Sequence, residues 1–74
     1  MTVRGFLDLV SRNPYLVLVR VHGRDPERRF TVARLLDRTK IDLSLGEIES
    51  TSPTDMKRKL MGGWLEHWWT RDFV

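Results

Sequence analysis

The chain has 74 residues, 41% hydrophobic and 31% charged, with a formal net charge of +3 at pH 7; separate cores need roughly 50 residues or more each, so one domain is expected and a large enzyme fold is excluded. It has no cysteine, which removes disulfides, thiolate zinc sites and thiol redox chemistry and leaves apolar packing to hold the fold. No apolar run approaches the roughly 18 residues of a membrane-spanning helix, and Met1 to Arg12 lacks the apolar centre of a signal peptide, so a soluble cytoplasmic protein is expected.

Thr2 can cap a helix with an apolar face of Phe6, Leu7, Leu9 and Val10. Asn13-Pro14 stops it, because proline disfavours helical backbone at the preceding residue, so the first helix is predicted over 3–12. Tyr15 to His22 (YLVLVRVH) is dense in β-branched and apolar residues and closed by Gly23, which predicts a buried strand over 15–22. From Gly23 two readings stand. In one, Gly23 to Glu27 is a hairpin loop and a second strand runs over 28–36, with Phe30, Val32 and Arg34 on one face and Thr31, Ala33 and Leu35 on the other. In the other, Asp25-Pro26-Glu27 starts a helix, and Phe30, Ala33 and Leu36 recur at helical spacing. The strand reading is preferred, because Thr31, Val32 and Thr39 favour sheet and Ile41 to Leu45 alternates with period two, predicting a third strand over 40–49.

Ser52-Pro53-Thr54-Asp55 combines a serine N-cap, a proline at the first helical position and an early acid. The apolar stripe of Met56, Leu60, Met61, Trp64, Leu65 and Trp68 then predicts a last helix over 53–69. Gly62-Gly63 interrupts that helix, so either another group approaches the backbone there or the helix stops. The expected fold is α+β, a single domain over 1–74 in the order α-β-β-β-α, with a three-stranded antiparallel sheet packed on two helices.

Charge is uneven along the chain: residues 1–40 carry nine Lys and Arg against four Asp and Glu, while residues 41–74 carry four against six. Arginine forks match phosphate and carboxylate oxygens in pairs, so the concentration suits a phosphate backbone or an acidic protein surface; the plainer reading is a solvated face with arginine stems over apolar edges. His22 and His67 have no further ligands at metal spacing, and no glycine-rich phosphate loop, carboxylate pair or nucleophile triad is visible. Neither a metal, a cofactor nor a small-molecule substrate is expected. Trp64 and Trp68 read as core, whereas Trp69 lies beside the stripe and is the candidate for a protein or homodimer contact.

The span from Tyr15 through Phe30-Thr31-Val32 resembles the double-stranded-RNA-binding domain, the form found beside ribonuclease III catalytic domains. It shares an aromatic-led first strand, a glycine-started loop of the family's length, and a basic residue before Phe-Thr-Val. The family's last helix begins with serine and a lysine-rich pattern that clamps phosphates across the duplex; here Ser52 holds the cap, Lys57 falls on the third basic position, and Pro53 and Thr54 replace the two early lysines. The resemblance covers roughly 50 residues. It implies contacts to duplex RNA phosphates, for which Arg24, Arg28, Arg29, Lys57, Arg58 and Lys59 are the candidates. The helix-to-strand entry is also similar to HicA-type RNA-cleaving toxins, but His22 precedes Gly23 where that family has a histidine after the glycine. Leu45 to Leu60 looks like a helix-turn-helix, with Ser52 capping a recognition helix that presents Thr54, Asp55, Arg58 and Lys59.

The expectation is a small basic domain that binds structured nucleic acid, duplex RNA first, through phosphates and without catalysis. The alternatives are a protein-interaction module that regulates a nucleic-acid-handling complex, and a helix-turn-helix DNA-binding regulator.

Overall fold

The computed structural model describes residues 1–62, which form α1 (Val3–Ser11), β1 (Leu16–His22), β2 (Arg29–Arg34), β3 (Lys40–Ser44), α2 (Leu45–Glu49) and α3 (Pro53–Met61). Thr2 caps α1 as its sequence position suggests, its Oγ1 accepting from the Gly5 N–H at 3.0 Å. The chain turns out of α1 at Asn13, whose Oδ1 accepts from the Tyr15 N–H at 2.8 Å and whose carbonyl accepts from the Leu16 N–H at 3.1 Å. Strand β1 starts one residue after Tyr15.

The three strands form one antiparallel sheet in the order β1-β2-β3. Leu18 lies opposite Val32 and Arg20 opposite Thr31, so Val19 is an extra residue, a β-bulge in β1. The hairpin loop turns at Gly23, where φ is +83° and a Cβ would sit 2.8 Å from the Glu27 carbonyl oxygen, a conformation suited to glycine alone. The helical alternative for the segment after Pro26 is not realised, because β2 occupies the centre of the sheet between both neighbours.

One face of the sheet carries the core. Phe30, Val32 and Leu43 project onto Phe6 of α1, Ile48 of α2 and Met56 and Leu60 of α3, all buried. Phe6 and Phe30 meet edge to face with ring centroids 5.6 Å apart, which joins the first helix to the central strand. The Met1 amino group donates to the carbonyls of Ile48, Glu49 and Thr51 at 3.3, 3.2 and 2.8 Å, tying the start of the chain to the end of α2.

Further boundaries differ from the sequence expectation, beginning with α1, which ends at Ser11 and not residue 12. The second strand covers Arg29–Arg34, not 28–36: Asp37 Oδ1 accepts from the Thr39 N–H at 3.0 Å and Arg38 takes a left-handed φ of 61°, so the chain is already turning. The third strand ends at Ser44, not residue 49, because Ser44 is an N-cap: its Oγ accepts from the Glu47 N–H at 3.1 Å, and the Glu47 carboxylate faces the Ser44 N–H in return. Leu45–Glu49 is therefore helical, with Leu45 and Ile48 buried as a helical pair. Helix α3 ends at Met61, with Gly62 at φ 69° and its N–H donating to the Arg58 carbonyl at 2.7 Å, and residues 63–69 of the predicted helix lie outside the described residues. Trp64, Trp68 and Trp69 lie outside the described residues. The order stays α-β-β-β-α, with a short helix inserted before the last one.

Phe30→Ala removes the ring on which α1 and the sheet meet. It is expected to cost about 3–5 kcal/mol, a large share of the roughly 5–15 kcal/mol of a small domain, and to show as a large loss of the urea midpoint in far-UV circular dichroism.

Candidate nucleic-acid interface

Strand register decides which side chains share the face opposite the core. There Val17 stands beside Ala33 and Lys40, Arg20 beside Thr31 and Asp42, and His22 beside Arg29 and Ser44. None of these residues is buried, and no described element lies over them. The face thus presents two arginines, a lysine and a histidine against Asp42, the only acid in the three strands. Arg34 belongs to the other face with Phe30 and Val32, as the alternation indicated; its guanidinium donates to the Leu60 carbonyl at 3.3 Å and pairs with Asp37 at 3.2 Å.

The bulge is what brings Arg20 and His22 here. Unbroken alternation from Leu16 would set Leu18, Arg20 and His22 on the core side. The extra residue at Val19 reverses the phase, so Arg20 and His22 share the open side with Val17, while Val21 falls opposite buried Phe30. Arg20 and Lys40 were not among the sequence candidates. Lys40 was legible, since it alternates with Asp42, whereas nothing in the sequence marks the bulge.

The six sequence-derived cations fall into three places. Arg24 and Arg28 are in the β1–β2 loop, Arg29 opens β2, and Lys57, Arg58 and Lys59 are on α3. Four of them are held by carboxylates: Arg28 to Asp25 at 2.8 Å, Arg29 to Asp42 at 3.1 Å, Arg58 to Asp55 at 3.5 Å and Lys59 to Glu47 at 2.5 Å. These exposed pairs are each worth about 0–1 kcal/mol, so none of them holds its cation firmly. Among the described residues, Arg20, Arg24 and Lys40 take part in no ion pair.

Glu47 links the sheet to α3. The Lys59 ammonium hydrogen-bonded to it is the main cause holding its carboxyl below the ordinary range, with the Ser44 N–H and the charge of Arg29 adding to the effect against a desolvation penalty. Lys59 pairs with Glu47 and Arg29 with Asp42, the charge of Arg29 being felt at Glu47, whereas Arg58 pairs with Asp55 on its own helix. Trp69, the candidate protein contact, lies outside the described residues.

No group of three or more histidine, aspartate or glutamate side chains that could hold a metal occurs among the described residues, and no described helix is long and apolar enough to cross a membrane. No family model, curated protein or solved structure matches the chain.

Because Glu47 titrates lower in the folded chain than in the unfolded one, its contribution to stability is complete above the ordinary glutamate value of 4.5 and is lost as pH falls through the lower folded value. Thermal melts from pH 7 to pH 3 are expected to lose less for Glu47→Gln than for the wild type, with the two curves converging at the acid end.

Proposed function

We propose that this domain binds the phosphate backbone of structured nucleic acid through the open face of its sheet, acting by binding and not by chemistry. The observation that supports this reading is the meeting of Arg20, Arg29 and Lys40 around Thr31 and Ala33 on a face that no described element covers, with Asp42, paired with Arg29, as the one acid among them. Short side chains between long cationic ones let a backbone lie close. Neighbouring strands are about 4.8 Å apart, so Arg20 on β1 and Lys40 on β3 start roughly 10 Å apart and reach separate phosphates. Arg24 in the adjoining loop and Lys59 beside Glu47 extend the basic surface past the sheet. Contacts of this type set affinity and salt dependence without reading bases. The domain resemblance makes duplex RNA the first ligand to try.

A second reading, a protein-interaction module, draws on a different surface: Val17, Val19 and Val21 along β1, and Leu35 and Leu36 in the turn after β2, are exposed apolar side chains. On this reading a partner protein covers the apolar strip and the cations serve solubility.

Fluorescence anisotropy with duplex RNA, duplex DNA and single strands at two salt concentrations separates the two. Duplex binding that weakens steeply with salt is expected. Arg20→Glu/Lys40→Glu, which breaks no described ion pair, should lose at least about ten-fold in affinity and lower the salt slope by about two. Loss of binding in Arg58→Glu instead would move the contact to α3, and no binding by the wild type at micromolar protein would overturn the nucleic-acid reading.

A further inference from the structure

Among the described residues, strand β1 is an edge of the sheet, seven residues long, with no proline, lysine or acid along it. Those are among the devices that commonly discourage pairing at an edge, and the two that β1 does carry, the bulge at Val19 and the charge of Arg20, lie past Leu18. β3, the other edge, is five residues long and carries Lys40 and Asp42. The Tyr15 carbonyl accepts from the Leu35 N–H, and backbone direction alternates along an antiparallel strand. Val17 therefore turns its backbone groups toward β2, while Leu18 turns its N–H and carbonyl outward. The Leu16 carbonyl also points outward, its N–H being taken by Asn13. At this end of β1, Val17 is 42% exposed, Leu18 is half-buried at the rim of the core, and Leu35 is 53% exposed.

We infer that β1 pairs antiparallel with β1 of a second copy of this chain about a two-fold axis at Val17, forming a continuous six-stranded sheet. In this register the Leu18 N–H of each copy donates to the outward Leu16 carbonyl of the other, one hydrogen bond in each direction, because the Leu16 N–H is already taken. Val17 faces the partner's Val17 at a non-hydrogen-bonded position, where side chains approach most closely. Leu18 gains cover from the partner's Leu16 on the core side. Charge selects the same register. Arg20 falls opposite the partner's Pro14, which keeps the two Arg20 side chains about 20 Å apart. Centring on Arg20 would oppose two guanidinium groups, and centring on Val21 would set Arg20 against the partner's His22. The bulge at Val19 limits regular pairing to the Leu16–Leu18 end. The dimer does not depend on nucleic-acid binding; it places two basic ends on one surface with the valines between them.

The test is sedimentation equilibrium of the full chain from about 5 to 200 µM, with Val17→Lys and Val21→Lys beside the wild type. A concentration-dependent dimer is expected, weakened at least about ten-fold by Val17→Lys and little changed by Val21→Lys. Circular dichroism checks that each variant is folded. Mixing labelled and unlabelled chains adds an NMR readout on the wild type that needs no variant, the contact between Leu16 of one copy and Leu18 of the other. A wild type that stays monomeric at about 200 µM, or a dimer without that contact, overturns the inference.

Discussion

Phe30 and Val32 stand side by side on the central strand, both buried, and every helix packs toward the sheet face they occupy. Phe6 closes on Phe30 from α1, while Met56 and Leu60 reach the same layer from α3. A chain of this length has apolar residues enough for one such layer. The opposite face of the sheet is left without a described cover and must be compatible with water. Its side chains answer that demand with arginine, lysine, threonine and serine. The open face is a consequence of the one-sided core, and it is also where a ligand can lie flat.

Glu47 shows how much a short polypeptide can draw from one side chain. It completes the capping box with Ser44, which ends β3 and starts α2, and it holds Lys59, which anchors α3 against α2. Its field also reaches Arg29 at the start of β2. The same carboxylate therefore shapes the local backbone, the helix packing and the basic surface. Cations tied in this way are positioned but partly neutralised. Arg20, Arg24 and Lys40 have no described carboxylate partner, which is why the sheet face and its adjoining loop carry more of the proposed phosphate contact than α3.

The bulge at Val19 joins the two surface properties of β1. Beyond it the phase of the strand is reversed, which turns Arg20 and His22 to the basic face. Before it the strand is regular and apolar, with no described partner on its outer side. Without the bulge Arg20 would stand on the core side, opposite Phe30 where Val21 now lies, because a shift of one residue exchanges the two faces.

Much of this protein could be read along the chain because its signals are local. Thr2 and Ser52 cap the helices they precede, Asn13-Pro14 and Gly23 mark turns, and the Phe30-Val32-Arg34 alternation assigns the faces of β2 correctly; each depends on residues within a few positions of one another. Ser44-Leu45-Gly46-Glu47 was equally local, a capping box overlooked because Ile41 to Leu45 alternates so cleanly up to it. The candidate site was less legible. Glu47 and Lys59 are on different helices and come together only because α3 folds back beside α2. Arg20 reaches the open face through a bulge that exists in the pairing of β1 with β2, not in either strand alone. Caps and turns are settled by a residue's own backbone and its near neighbours, whereas facing and convergence depend on strand register, which arises when distant segments pack on a shared core.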